Sequence, residues 1–363
     1  MPAKTAVPSV SDTKPQLNRL RQLRLNPVVL MFVLLCTAGI PATGLSLTWL
    51  AEELVARMAR NSFLVLSLLI PVSAGMGLNF SIVLGAMAAQ AAIIAVTHWH
   101  IEGIGGLLLA AVLSTPVAIL LGYLVGQLFN KAKGREMITG MIAGFFANGI
   151  YQLVFLFGVG TIIPMKDDKL MLPSGIGMRS VLDLKGIRMA LDNLVPIWPG
   201  GIKIPIMTFV VIALLAWGIT KLMQTKLGQD FRAVGQDMSV AAVSGINVDR
   251  TRIIAIILST VLAAWGQLIF IQNIGTLNVF NSHEQVGTFA IASLLVGGAS
   301  ASRATIGQAL LGTLLFHTLF VVSPRAGQSL LGSAQIGEYF RVFIAYGVIA
   351  VALALHAWES KKK

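Results

Sequence analysis

The sequence predicts an all-α, polytopic membrane protein of about ten transmembrane helices, containing an inverted repeat of two four-helix groups. Three observations carry this prediction. Of 363 residues, 56% are hydrophobic and only 12% are charged, about half the ~25% charge of an ordinary soluble domain. Mean hydropathy is +0.80, and the apolar residues fall in long unbroken runs, not in the short alternating segments of a membrane barrel. Two polar interruptions of related composition recur in the two halves of the chain.

Residues 1–26 are polar and basic, with no convincing cleavage site after them, and read as a cytoplasmic N-terminal arm. Residues 27–357 form the membrane domain. Apolar runs of roughly 17–25 residues lie near 27–47, 61–78, 80–98, 104–129 and 136–160, then near 203–223, 251–271, 285–300, 303–322 and 334–357. Residues 48–60 place Glu52, Glu53, Arg57 and Arg60 at helical spacing and read as an amphipathic interfacial helix. Residues 161–202 form the longest loop, partly irregular, and residues 358–363 a basic cytoplasmic tail.

The net charge of +12 is distributed as cytoplasmic anchoring requires, without the basic stripe and interleaved aromatics of a nucleic-acid surface. About 17 of the 27 basic residues fall on the segments predicted to lie inside. That bias predicts a multi-pass bacterial inner-membrane protein with both termini cytoplasmic and the 161–202 loop outside. A single cysteine, Cys36, excludes a disulfide framework or a thiolate metal site. The five histidines are dispersed, so no metal cluster is expected.

With the first and sixth spans set aside, residues 61–160 and 251–357 make two groups of opposite topology. The first is interrupted at Gly77-Leu78-Asn79-Phe80-Ser81 and the second at Leu277-Asn278-Val279-Phe280-Asn281-Ser282. Unwound backbone is tolerated at membrane depth only where protein or a water-filled cavity receives it. Asn79, Phe80, Ser81, Asn278, Phe280 and Asn281 are therefore the candidate path-lining residues, with ordinary helix-end turns as the alternative. The span interiors carry almost no ionisable residue, which argues against proton or sodium coupling and against a strongly charged ligand. His317 is the titratable exception and reads as a hydrogen-bonded interhelical residue. Gln90, Asn148, Gln152, Gln267, Gln272 and Asn273 are either interhelical hydrogen-bonding groups or cavity lining.

The stretch from Thr225 to Arg250 on the predicted inner face is the most informative. Gly228 and Gly235 read as breaks, Ser239 to Ser244 is Ala-rich and helix-competent, and Gly245 suits a helix C-terminal cap. Together they predict a short helix held parallel to the membrane, shaped to enter a partner's cleft. Thr225, Gly228, Arg232, Ala233, Gly235, Ala241, Gly245 and Ile246 follow in order the pattern T-x-x-G-x-x-x-R-A-x-G-x-x-x-x-x-A-x-x-x-G-I. The stretch resembles the ATPase-docking loop of ABC-importer permeases of the ribose, xylose, arabinose and branched-chain amino-acid group. A second family-like segment runs from Ala292 to Ser300 through Gly297-Gly298, followed by Gly307 and Leu311-Gly312-Thr313. Sugar permeases of this group commonly carry an acid where this chain has Asn79, and Arg303-Ala304 replaces their usual glycine pair.

The resemblance implies a transport subunit that is not itself an enzyme. ATP, the only cofactor implied, would be hydrolysed on separate cytoplasmic subunits docking at 225–247, through Gly228, Arg232, Ala233, Gly235, Ala241, Gly245 and Ile246. It implies two further partners, an extracytoplasmic solute-binding protein and a second permease subunit, identical or related. The chain has no G-x-x-x-x-G-K-[ST] nucleotide loop of its own. Many neutral amides and few charges suit a small neutral polar solute, a sugar or nucleoside. A branched-chain amino acid is the alternative within the class. An ion-coupled secondary carrier and a membrane-embedded enzyme are the alternatives outside it.

Overall fold

The computed structural model describes residues 27–360. The N-terminal arm and the Lys361–Lys363 end of the basic tail fall outside the described residues. The helices are α1 (Pro27–Ala42), α2 (Leu47–Ser67), α3 (Leu69–Ser73), α4 (Ile82–His98), α5 (Gly103–Lys131), α6 (Glu136–Leu153), α7 (Ile206–Gln224), α8 (Lys226–Gln236), α9 (Met238–Val243), α10 (Val248–Ile274), α11 (Ser282–Val296), α12 (Ile306–Leu331) and α13 (Ala334–Ser360). Four short strands, β1 (Val181–Asp183), β2 (Pro196–Ile197), β3 (Ile204–Pro205) and β4 (Thr276–Asn278), form two antiparallel pairs, β1 with β4 and β2 with β3. Among the described residues, seven helical stretches are long and apolar enough to cross a bilayer, and α1 and α4 are shorter apolar helices.

At the centre stands α10, which has 15 of its 27 residues buried and packs along α2, α4 and α5. Small residues make that approach possible, as membrane helices require in the absence of a solvent-driven force between them. On α5 the buried positions Gly106, Ala110, Ser114, Ala118, Gly122 and Gly126 recur every fourth residue and form one stripe. A Cβ on Gly122 would lie 2.9 Å from the Ile257 Cα, and one on Gly126 3.0 Å from the Ile253 Cα. Across that stripe, Leu108, Val112, Leu120 and Leu124 remain exposed, as side chains facing lipid do.

One expected element is corrected. Residues 48–60 are not a separate interfacial helix; they are the first half of the continuous stretch Leu47–Ser73. No glycine or proline interrupts it before Pro71, and Ser46 caps its start by accepting from Trp49 N. Glu53, Arg57 and Arg60 share one face, which turns toward the protein, so the charges do not mark a surface in water. Arg57 and Arg60, with Arg341 on α13, are therefore charges within candidate spans, where almost none was expected.

The 161–202 loop is irregular as expected, yet it is a folded cap, with Leu182, Leu184, Ile187 and Asp192 buried. Its strand β1 pairs with β4 at the end of α10, Val181 opposite Asn278.

Candidate functional site

The two predicted breaks exist, and they differ. Between α3 and α4 the backbone is non-helical, with Gly75 and Gly77 in the left-handed region (φ +74° and +70°). Asn79 is completely buried. Its amide nitrogen donates to Ser259 Oγ on α10 (3.2 Å), and its oxygen accepts from the Ser81 backbone N–H (3.1 Å) and the Ser81 hydroxyl. In this conformation Asn79 and Ser81 seal the break against α10. Phe80 is half-buried against the main core.

At the second break, Gly275 ends α10 in the left-handed conformation, and β4 follows. Asn278 and Asn281 are exposed, and the Asn281 N–H donates to Asn278 Oδ1 (3.2 Å). Phe280 is half-buried in the core that holds Phe80. The helices leaving the breaks meet: a Cβ on Gly287 of α11 would lie 2.9 Å from the Val83 side chain in the first turn of α4.

Between the breaks lies a buried polar network that the sequence did not assemble. His283, in the first turn of α11, reaches Gln90 of α4 through Nδ1 (3.0 Å) and Asn148 of α6 through Nε2 (2.9 Å). Tyr151 Oη sits 2.9 Å from the Gln90 amide, and Asn148 donates to Glu284. Gln90 fits its neighbours better when its oxygen accepts from Gln267 Nε2 (3.2 Å) and the His283 N–H (3.1 Å) and its two amide hydrogens are shared among Val279 O (3.3 Å), Tyr151 Oη (2.9 Å) and His283 Nδ1 (3.0 Å). A neutral His283 protonated on Nε2 then donates to Asn148 Oδ1. Of the polar residues left open between glue and lining, Gln90, Asn148, Gln152 and Gln267 belong to this network. Gln272 and Asn273 instead tie α10 to the 189–192 segment, Gln272 accepting from Leu191 N (3.3 Å) and Asn273 donating to Asp192 (2.6 Å). Tyr151 and His283 carry no local sequence signal, because their partners lie 61 and 193 positions away.

His317 makes no hydrogen bond through Nδ1, contrary to the expected bonded role. It packs against Phe316 and Phe320, with ring centroids 5.3 and 5.9 Å away. Phe320 lies beneath two guanidinium groups, Arg341 at 3.4 Å and Arg57 at 4.9 Å from its ring centroid. Glu53 pairs with Arg57 (2.6 Å) and approaches Arg60 (3.7 Å).

The predicted docking stretch forms a helical hairpin. Thr225 caps α8, accepting from Gly228 N, and Asp237 caps α9, accepting from Ser239 N and Val240 N. Gly245 (φ +83°) follows α9, with Gly245 N donating to Ala242 O and Ile246 N to Ala241 O, the paired bonds of a Schellman ending. Gly228 and Gly235 are not breaks. Both lie within α8, where a missing Cβ lets the backbone approach Met223 and Gly75 respectively. Phe231 of α8 is buried with Ile70, Met76, Leu84 and Ile256, which roots the hairpin in the bundle beside the first break; Val234 is also buried. Ala241 is buried, Ala233 and Ile246 are half-buried, and Arg232 is turned back to donate to Met223 O (2.9 Å). The outward face instead carries Val240 and Val243, 63% and 92% exposed, two residues the sequence pattern did not single out.

Beneath the hairpin, Arg252 is fully buried. It pairs with Glu136 at the start of α6 and donates to Asn130 Oδ1 (3.0 Å) and Phe129 O (3.1 Å), with Met238 Sδ 3.0 Å from Nη1. The latch joins α5, α6, α9 and α10.

Spanning helices, two broken segments and a helical hairpin rooted beside the first of them define an integral-membrane protein. It belongs to the family described as branched-chain amino acid transport system / permease component, which matches residues 53–353. It is 28% identical over 163 residues to the D-allose transport system permease of Escherichia coli strain K12, covering 44% of this chain and 47% of that one. It is 26% identical over 162 residues to the xylose transport system permease of Haemophilus influenzae, covering 45% and 41%. It is 27% identical over 250 residues to a nucleoside ABC transporter permease of Lactococcus lactis, covering 66% and 72%. The chain spans about half the length of the first curated relatives it matches. No solved structure matches it.

Proposed function

We propose that this chain is an inner-membrane permease subunit of an ATP-binding-cassette importer and carries a small neutral polar solute of the sugar or nucleoside kind. It pairs with a second permease subunit, receives solute from an extracytoplasmic binding protein, and docks separate ATPase subunits that hold the nucleotide. The single observation that carries this reading is the α8–α9 hairpin. Its buried side is fixed to the bundle through Phe231, beside Ala74 and Met76, while its free side offers Val240 and Val243. A load applied to α9 then passes to the segment that holds Asn79, and the switch between the two openings of the path is a rearrangement of the two breaks.

The ten-span count and the inverted repeat belong to this proposal. Their support is the meeting of α4 and α11 just after their breaks. The neutral amide, phenol and imidazole groups around Gln90 offer donors and acceptors without fixed charge, apart from Glu284 at the margin. That chemistry suits hydroxyl groups, and the named allose, xylose and nucleoside permeases point the same way.

The test is the paired substitution Val240→Asp and Val243→Asp in the full chain, co-expressed with its ATPase. Uptake of labelled sugar is expected to fall at least tenfold, and the ATPase to dissociate on purification, with the amount of chain in the membrane unchanged. Retained uptake and co-purification would remove α9 as the docking element.

A further inference from the structure

We infer that the outer end of α2 and the folded 189–205 segment form a binding subsite for one hydroxylated ring, separate from the breaks; this rests on the importer reading above. A cavity of about 170 Å³ is lined by Trp49, Glu52, Glu53, Asp192, Lys203 and Asn273. It is smaller than the ~300–1,000 Å³ pockets of drug-sized ligands and has room for a single small ring.

The lining combines the groups a polyol needs. Carboxylates only accept hydrogen bonds, and a sugar presents many hydroxyl donors. The Glu52 carboxylate has no hydrogen bond or ion pair among the described residues, so its acceptor sites are free. Asp192 is only 2% exposed. One of its oxygens accepts from Thr208 and the other from Asn273 Nδ2 (2.6 Å), which fixes the carboxylate while leaving further lone pairs. Lys203, held by Asn193 Oδ1 (2.6 Å), supplies donor hydrogens for ring or hydroxyl oxygens. Trp49, 45% exposed, offers an apolar face with one polar tip, the surface on which the C–H side of a sugar ring rests.

The floor of the cavity is continuous with charge inside the membrane. Asn273 accepts from Arg60 Nη1 (3.3 Å), and the Arg60 Nε is buried without a partner. Ionisable groups in a spanning helix are expensive and are retained where they face a polar path. Here Glu53, Arg57 and Arg60 turn toward the protein and lead inward from the cavity. The positive and negative groups around it are balanced, Lys203 and Arg60 against Glu52, Glu53 and Asp192 in part shared with Arg57. A neutral ligand meets no net field there, whereas a free anion would meet the carboxylates first.

Cysteine protection tests this in the full chain. The native Cys36 is buried, so Ala56→Cys on the cavity wall introduces one reactive thiol without altering the proposed ligand groups. The purified chain in nanodiscs is labelled with a charged methanethiosulfonate in the presence of D-ribose, D-xylose, D-allose, uridine or L-leucine. At least one hydroxylated solute is expected to slow labelling threefold or more, and adding Glu52→Gln or Trp49→Ala to raise the protecting concentration at least tenfold. L-leucine is expected to give no protection. If a sugar or nucleoside is taken up by cells expressing the whole transporter but never protects Ala56→Cys, the subsite is wrong and the importer reading stands. Protection by L-leucine alone overturns the ligand class. If no solute protects and none is taken up, the subsite and the sugar reading fall together.

Discussion

Arg252 shows what a single residue does beneath the α8–α9 hairpin. Its guanidinium is 1% exposed and its partner Glu136 carboxylate 8%, so each depends on the other in a place that water does not reach. Removing one member of such a pair leaves an uncompensated buried charge, at a cost of about 3–5 kcal/mol. Arg252→Met should therefore lower the melting temperature of the detergent-purified protein by several degrees. Adding Glu136→Gln should restore a large part of the loss, since both charges are then gone. An additive double variant would mean that the pair is incidental. The latch could not be read from sequence, because 116 positions separate its two charges and neither has a local pattern. Gly245 was a different matter and was legible as a cap, because a cap acts within one turn and its chemistry is written in adjacent residues.

At the scale of the element, the informative signal is spacing. The stripe from Gly106 to Gly126 on α5 fixes which face meets α10, and it leaves the opposite face to lipid. Gly122→Leu places a branched side chain where a Cβ would already lie 2.9 Å from Ile257 Cα, so α5 and α10 must separate. Overpacking of this kind costs about 1–3 kcal/mol, and the variant should melt earlier and lose monodispersity on size exclusion. Leu120→Ala, on a position 58% exposed, should melt within a degree or two of the parent. Equal effects from the two variants would refute the assigned orientation of α5. The same logic explains the one misread element. The charges at 53, 57 and 60 have the helical spacing of a surface helix, and spacing alone does not say whether the medium opposite is water or the polar side of another helix. Here Arg60 donates to Asn273 and Arg57 lies over the Phe320 ring, both contributed by distant segments. The run without glycine or proline from Leu47 to Ile70 was the readable sign that helix α2 continues into the span.

At the scale of the whole molecule, the apolar runs were legible because bilayer thickness imposes a length on each, and the interior network around Gln90 was not, because it is made of pairings across four helices. Sidedness connects the two levels. Basic residues concentrate on the ends that carry the α8–α9 hairpin and the Arg252 latch, and irregular backbone on the opposite cap around 161–202, which holds four acidic and five basic residues. The proposed orientation, read from the positive-inside bias, has the hairpin in the cytoplasm, the compartment that holds ATP, and the cap with its cavity outside. Because Cys36 is buried, single thiols can read this directly. In intact cells that express the chain without its ATPase, which would otherwise cover α9, an impermeant maleimide should label Asp168→Cys, on an exposed stretch of the cap, at least tenfold more than Val240→Cys. Permeabilising the inner membrane should bring Val240→Cys to the same level, since its position is 63% exposed. The reverse pattern would place α9 where no ATPase can reach it, and the whole mechanism would have to be rebuilt around the other face.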